Sequence, residues 1–136
     1  MVTALLVDAN LDGHADLLAA RLQSDLWREF RDYLNIHILH FEDVPLDRDA
    51  TDEAVWRLCQ ERGYWLLTAN RNHESADSLE AAIRREGTAD SIPVLTLADP
   101  QRALQGGAYL DRVVERLLVY LLNPEQYRGT GRLYLP

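Results

Sequence analysis

Short apolar runs alternate with longer segments of helical periodicity along the 136 residues of this chain. The apolar runs have the length and the aliphatic content of buried strands, whereas the segments between them carry apolar residues at helical spacing. Strands that are separated by helices need crossover connections, which favour parallel pairing. The pattern therefore predicts an α/β domain with three layers, α/β/α, around a mostly parallel four-stranded sheet. The four expected strands are residues 3–7, 36–41, 64–68 and 92–97.

Residues with known preferences for helix ends mark where the expected helices begin and end. Asp49 is a suitable N-cap for the third helix, and Gly63 is placed to terminate it. Gly106 and Gly107 interrupt the last helical region, which begins at Asp99. The expected helices are residues 11–23, 24–34, about 50–62, 75–85 and 109–122.

The last helix and the segment that follows it are unusually apolar. Residues 108–122 are apolar over most of the helix circumference, which indicates a helix enclosed in the domain or placed at a subunit interface. The following tail, residues 123–136, contains Leu133 and Tyr134 and is too apolar for a disordered segment. We therefore expect residues 1–122 to form the domain, the tail to dock on that domain or on a neighbouring subunit, and the chain to form a homodimer.

Charge and composition narrow the classes of function. The formal net charge of −8 argues against a broad basic surface for nucleic acid, although an enzyme that binds RNA only transiently is compatible with it. The single cysteine, Cys59, excludes a disulfide framework and a cysteine-based zinc site, and it favours a reducing, cytoplasmic setting. No uninterrupted apolar run approaches the ~20 residues that span a bilayer, so we expect no membrane segment.

Polar side chains follow the apolar runs at the positions where the predicted strands end. In open α/β sheets, ligands bind outside the carboxyl ends of the strands, where the strand order reverses. Asp8 follows the first strand, Glu42 and Asp43 follow the second, and Asn70 and Asn72 follow the third. On the helix before the third strand, Asp52 lies nearer to the apolar stripe than Glu53 does. Several carboxylates in one pocket repel each other unless a cation neutralises them, which predicts Mg²⁺ or Mn²⁺ with oxygen ligands.

Each of these residues also has an ordinary structural explanation. An aspartate directly after a strand often caps the following helix, as Asp8 would. Asp52, near a helix start, is a favourable partner of the helix dipole. Asn70 and Asn72 are common turn residues. Only the joint placement of the three groups favours a functional site.

Three stretches of the sequence carry a family resemblance: LLVDAN at 5–10, TDEAVWRLCQERGYWLLTANRN at 51–72 and DSLEAAIR at 77–84. Together with the order of the elements, they resemble the PIN-like nuclease superfamily, in particular its small toxin-like proteins. The resemblance covers roughly residues 1–100. It implies a PIN-like fold for the domain.

The resemblance also implies that acids from separate segments hold a divalent metal for RNA cleavage. Asp8 matches the acid after the first strand, and Asp52 matches the acid at the start of the helix before the third strand. Thr68 matches the threonine of a Thr-x-Asp-x-Asp motif, in which Asn70 and Asn72 stand where aspartates are expected. An amide coordinates through its carbonyl oxygen but brings no charge, so a further acid is expected from the next helix. The implied catalytic residues and metal ligands are Asp8, Asp52, Asn70 and Asp77.

The implied function is that of a Mg²⁺- or Mn²⁺-dependent ribonuclease of the toxin type, with RNA as a transient substrate and an antitoxin-like protein as partner. The alternative is a catalytically inactive PIN-like scaffold that serves as a binding or dimerisation module, because the two amides would hold metal more weakly. A receiver-like signalling domain is disfavoured because no lysine follows the later strands. Substrate contacts are expected from Thr68, Arg71, Asn72, His14 and His73.

Overall fold

Five strands form one parallel sheet within residues 3–70 and 78–136, the part of the chain that the computed structural model describes. The strands are β1 (Thr3–Val7), β2 (Ile36–Leu39), β3 (Trp65–Thr68), β4 (Val94–Leu97) and β5 (Arg132–Leu135). They lie in the order β2-β1-β3-β4-β5, and every neighbouring pair is parallel. The expected α/β class with a parallel sheet is therefore confirmed.

The expected number of four strands is wrong, because the C-terminal tail adds a fifth. β5 extends the sheet beyond β4, with Arg132 opposite Val94 and Leu135 opposite Leu97. Its sequence, RLYL, is four residues long and mixes polar with apolar side chains, so it lacks the apolar run of a strand that is buried on both faces. The end of the tail thus belongs to the sheet of the domain.

Helices connect the strands, and several begin or end away from the expected positions. The third helix begins at Asp52 because Thr51, rather than Asp49, is its N-cap: the Thr51 hydroxyl accepts a hydrogen bond from the Ala54 amide at 3.2 Å. Gly63 ends that helix in the left-handed conformation, at a φ of 73°, as predicted. The helices are α1 (Asp12–Leu22), α2 (Arg28–Leu34), α3 (Asp52–Arg62), α4 (Leu79–Glu86), α5 (Pro100–Leu104), α6 (Gly107–Leu122) and α7 (Pro124–Tyr127).

The helices cover both faces of the sheet. α1, α2 and α6 pack on the face that carries Leu5 and Val7 of β1, whereas α3 and α4 pack on the face that carries Leu6. α6 lies against α1, α2, α5 and β5, so its apolar circumference is covered within the domain and gives no separate support to a homodimer. The buried residues of α6 are Leu110, Val113, Val114, Leu117, Leu118, Tyr120 and Leu121.

The connection from β4 to β5 has the opposite hand to the connection before it. α4 joins β3 to β4 over one face, whereas α6 joins β4 to β5 over the other face while the chain moves in the same direction across the sheet. One hand dominates among parallel crossovers, so this connection is uncommon. It leaves Arg132 of β5 on the face covered by α4, where its side chain reaches Glu80.

Within the described ranges, no helix is both long and apolar enough to cross a lipid bilayer.

Candidate functional site

The candidate site lies where the order of the sheet reverses. From β1 the chain moves first to β2 on one side and later to β3 on the other, so the carboxyl ends of β1 and β3 flank the switch point. Asp8 follows β1 directly, and Thr68 is the last residue of β3. The Asp8 amide donates to the Leu67 carbonyl at 2.9 Å, so the two strand ends stay paired up to this point.

A chain of hydrogen bonds joins two acids through the end of β3. The Thr68 hydroxyl donates to Oδ2 of Asp8 at 2.8 Å, and the backbone N–H of Asn70 donates to Oγ1 of Thr68 at 2.9 Å. Nδ2 of Asn70 donates to Oδ2 of Asp52 at 2.7 Å. We call Asp8, Asp52, Thr68 and Asn70 the acid–amide network. It contains three of the four expected metal ligands, whereas Asp77 lies outside the described residues.

Asp52, rather than Glu53, faces the acid–amide network. Besides the bond from Asn70, Oδ2 of Asp52 accepts a hydrogen bond from the Leu79 amide at 3.2 Å, where α4 begins. Glu53 instead forms ion pairs with Arg57 and Arg85. The Asp52 carboxylate therefore has two roles: it belongs to the acid–amide network, and it connects α3 to the start of α4 by a hydrogen bond.

Burial dominates the electrostatics of Asp8. Burial raises the pKa of the Asp8 carboxyl above its ordinary value, and the nearby charge of Asp52 raises the pKa further. Hydrogen bonds from Thr68 and from the Ala9 amide, the latter at 2.8 Å, act in the opposite direction. Because the pKa is raised on balance, the protein disfavours the Asp8 charge, and a cation bound between the two acids would favour it.

Cys59 of α3 lies behind this site and is not a candidate nucleophile. Burial raises the pKa of its thiol to about 12, and the Asp8 charge contributes in the same direction. Since the thiolate is the reactive form, a thiol with this pKa is inert at neutral pH.

The donor set suits a hard divalent cation in kind but contains few charges. Carboxylate and amide oxygens are ligands that Mg²⁺ and Mn²⁺ prefer. Across 3–70 and 78–136, no three His, Cys, Asp or Glu side chains are grouped closely enough to hold a metal. A cation at this site would therefore have Asp8 and Asp52 as charged ligands and the side-chain carbonyl oxygen of Asn70, Oδ1, as a neutral one, with waters at the remaining positions.

Arg132 of β5 supports the acid–amide network through the backbone of Asn70. Nη1 of Arg132 donates to the Asn70 carbonyl at 2.8 Å and to Oγ1 of Thr96 at 2.7 Å, and Nε donates to Oε1 of Glu80 at 2.6 Å. The Arg132 side chain is 7% exposed, and its Nη2 has no hydrogen-bond partner among the described residues. Sequence reasoning missed Glu80 and Thr96. The one signal for Thr96 was a polar residue within the apolar run of β4, as Thr68 is within that of β3. The structure shows that these two threonines are opposite each other on adjacent strands.

A second polar cluster, which the sequence pattern did not indicate, borders the site. Nδ1 of His40 lies 2.9 Å from Oδ1 of Asp12, and Nη1 of Arg48 donates to Oδ2 of Asp12 at 3.3 Å. Nη2 of Arg48 also donates at 2.7 Å to the carbonyl of Ala9, the residue after Asp8. The hydrogen bond with His40 is the main cause of a lowered pKa at Asp12. These contacts connect the loops that follow β1 and β2.

The other expected site residues are only partly within the described ranges. Nε2 of His14 lies 2.8 Å from the carbonyl oxygen of Pro100, so the imidazole links α1 to the start of α5. Its expected substrate contact stays a prediction. The expected substrate residues Arg71, Asn72 and His73 lie outside the described residues.

The chain matches no protein-family model, and no curated protein or solved structure is significantly similar to it. The resemblance to PIN-like nucleases therefore stays a prediction from the sequence, and the residues of the site carry the functional argument.

Proposed function

We propose that this chain is a divalent-metal-dependent ribonuclease of the PIN-like type. One observation supports the proposal above the others: Asp8 and Asp52, from distant parts of the chain, are joined through Thr68 and Asn70 at the switch point of the sheet. Ligands of open parallel sheets bind at this point. Two carboxylates there form a suitable site for Mg²⁺ or Mn²⁺ beside a phosphate group.

The residues around the proposed ion have separate roles. Asp8 and Asp52 would hold the ion, and Asn70 would add its side-chain carbonyl oxygen, Oδ1. The bound ion would help a water to ionise and would stabilise the charge that develops on a phosphodiester. The Thr68 hydroxyl orients the Asp8 carboxylate, and Arg132 holds the Asn70 carbonyl and thereby the backbone that positions the amide. The further acid is proposed to be Asp77.

The wider role is proposed from the family resemblance. A chain with a net charge of −8 that contacts RNA only during cleavage needs no broad basic surface. We propose RNA as the transient substrate, an antitoxin-like protein as the restraining partner, a homodimer as the assembly and the cytoplasm as the setting.

A second candidate is a catalytically inactive PIN-like scaffold that binds a partner or dimerises. The observation in its favour is that both acids already have structural contacts. Asp8 accepts hydrogen bonds from Ala9 and Thr68, and Asp52 accepts them from Asn70 and Leu79. Under this alternative, the acid–amide network stabilises the switch point and holds no metal.

RNA cleavage by the purified protein separates the two candidates. Structured and unstructured RNA would be incubated with Mg²⁺ or Mn²⁺, and in parallel with a chelator. Residues that only support metal ligands contribute about 10–100-fold, so removal of a ligand by Asp8→Asn should lower the cleavage rate at least about 100-fold.

The matched control is Asp16→Asn, which removes an exposed carboxylate from α1. This variant should cleave RNA at the wild-type rate. Equal RNA decay by the wild type and Asp8→Asn would refute the ribonuclease proposal and leave the scaffold.

A further inference from the structure

The arginines of this chain are unevenly paired. The chain has 14 arginines and no lysine. Among residues 3–70 and 78–136, eight arginines form ion pairs with carboxylates: Arg21, Arg28, Arg31, Arg48, Arg57, Arg85, Arg128 and Arg132. Within the same ranges, five form none: Arg62, Arg84, Arg102, Arg112 and Arg116.

Three of these five arginines, from α5 and α6, lie on aromatic rings of α6. The guanidinium carbon of Arg102 is 4.4 Å from the centroid of the Tyr109 ring, and that of Arg112 is 5.3 Å from the same centroid. Arg116 lies 5.9 Å from the ring centroid of Tyr120. We call Arg102, Arg112 and Arg116 the arginine patch. Cation–π contacts hold its exposed side chains in place without neutralising their charge.

Fewer acids than arginines lie at the arginine patch. The Asp99 carboxylate caps α5 and accepts a hydrogen bond from the Arg102 backbone N–H at 3.1 Å, but within the described residues it forms no ion pair with an arginine side chain. Asp111, next to Arg112 in sequence, is occupied by Arg21, whose Nε and Nη2 donate to its two carboxylate oxygens at 2.5 and 2.6 Å. Glu115 is the one acid that lines, together with Arg112 and Arg116, a surface cavity of about 340 Å³. The patch is therefore a local excess of positive charge on an acidic protein.

The arginine patch begins at the same end of the sheet as the candidate site. α5 starts at Pro100, shortly after the carboxyl end of β4, and the Pro100 carbonyl is in contact with His14 of α1. β4 is separated from β1 by two strand spacings, or about 10 Å, and a helix adds about 10 Å more. These dimensions place Arg102 roughly 10–20 Å from Asp8, which about three to six nucleotides span at ~3.4 Å each.

We propose that the arginine patch binds the phosphodiester backbone of a single-stranded RNA that extends from the candidate site. Guanidinium groups pair with phosphate oxygens in a bidentate geometry. Tyr120 is buried, so its ring positions Arg116 and does not stack a base. The positive charge of the patch, together with its place at the end of the sheet that carries the proposed cleavage site, favours RNA over an acidic protein partner. The inference rests on the proposed ribonuclease function, and it names the surface that holds the substrate strand.

Fluorescence anisotropy with an unstructured, labelled RNA of about twelve nucleotides tests this inference. Binding would be measured in chelator, so that metal-dependent cleavage does not occur. The double variant R102Q/R112Q should bind at least about tenfold more weakly than the wild type, and the slope of log affinity against log salt should fall by about 1.4, the contribution of two lost phosphate contacts.

The matched control is R62Q/R84Q, which removes the same charge from two other unpaired, exposed arginines. Arg62 and Arg84 lie in the last turns of α3 and α4, at the amino end of the parallel strands. This control should bind RNA within about twofold of the wild type. Both double variants should retain the wild-type thermal unfolding curve, because all four side chains are exposed.

Two outcomes would overturn the inference. Equal RNA binding by R102Q/R112Q and R62Q/R84Q would show that the patch has no specific role. An acidic peptide that binds as tightly as RNA, and loses binding in R102Q/R112Q alone, would make the patch a protein-docking surface instead.

Failure of this inference can be distinguished from failure of the ribonuclease proposal. Patch-dependent RNA binding without metal-dependent cleavage would remove the ribonuclease and retain the binding surface. Metal-dependent cleavage by the wild type, with RNA binding that is unchanged in R102Q/R112Q, would retain the ribonuclease and remove the binding surface.

Discussion

At the scale of single residues, two opposing effects act on the charge of Asp8. The hydrogen bonds that it accepts favour the charged form, whereas burial disfavours it. Asp8 caps the 3₁₀ turn Ala9–Leu11 and accepts a hydrogen bond from Thr68. Burial nevertheless raises its pKa, with a further contribution from Asp52. A capping carboxylate at an exposed helix start normally has a lowered pKa, because the hydrogen bonds it accepts favour the charge. Asp8 therefore differs from an exposed helix cap because it is buried, and a buried acid with a raised pKa is the kind of group that functional sites contain.

The raised pKa of Asp8 predicts a pH dependence of stability in the absence of metal. A carboxyl whose pKa is higher in the folded state stabilises the fold below its unfolded pKa, and this stabilisation is lost as the pH rises through the folded pKa. From about pH 4 toward neutral pH, the wild type should therefore lose free energy of unfolding relative to Asp8→Asn.

Urea unfolding in chelator, over this pH range, measures the effect. Asp16→Asn corrects for the general loss of one negative charge from an acidic protein. A difference in unfolding free energy between wild type and Asp8→Asn that stays constant with pH, after this correction, would contradict the account of Asp8.

At the scale of elements, β5 is attached to the domain by its backbone, by Leu135 in the hydrophobic core and by the buried side chain of Arg132. The backbone pairs with β4, while Arg132 contacts Glu80 of α4 and the carbonyl of Asn70. Because Asn70 belongs to the acid–amide network, the last strand of the chain also supports the candidate site. A defect in β5 should therefore affect both stability and the site.

Replacing Arg132 by methionine should destabilise the protein by about 2–4 kcal/mol. The substitution leaves Glu80 without its partner, and the loss of one partner from a buried pair costs about 3–5 kcal/mol. The Glu80 side chain is 28% exposed, which lowers the expected cost. Urea unfolding gives the free energy, and the double variant R132M/E80Q should recover part of the loss because no unpaired carboxylate remains.

Arg128→Met is the control on the same tail. Arg128 pairs with Glu125, whose side chain is 82% exposed, and donates to the Asp90 carbonyl at 3.1 Å. Both contacts are exposed, so the replacement should cost about 1 kcal/mol or less. Equal destabilisation by Arg132→Met and Arg128→Met would show that the Arg132 contacts do not hold β5 in place.

The sequence predicted the strands with a clear apolar pattern and missed β5, whose pairing depends on a distant partner. β1, β3 and β4 are covered on both faces, so they read as apolar runs. β5 lies at the edge, and its pairing with β4 follows a crossover of uncommon hand, which no local pattern indicates. Similarly, the choice between Asp49 and Thr51 as the cap of α3 could not be made from local preference alone, since both are good N-caps.

At the scale of the whole molecule, the parallel sheet explains how much of the site was predictable. The rule that ligands bind at carboxyl ends of strands selected Asp8 and Asn70, helix periodicity selected Asp52, and the family resemblance added Thr68. The structure places these four residues in one network. Glu80 and Thr96 could not be selected, because their contacts with Arg132 span 52 and 36 residues and depend on where β5 enters the sheet. The binding of metal by these residues stays a prediction.

The central claim is that Asp8 and Asp52 form a divalent-cation site, and calorimetric titration of Mn²⁺ into the metal-free protein tests it most directly. We predict a saturable heat for the wild type and for Asp16→Asn, and its loss in Asp8→Asn and Asp52→Asn, because each of these two variants removes one of the two charged ligands. A wild type that gives no saturable heat, or an Asp8→Asn variant that binds Mn²⁺ as the wild type does, would contradict the claim.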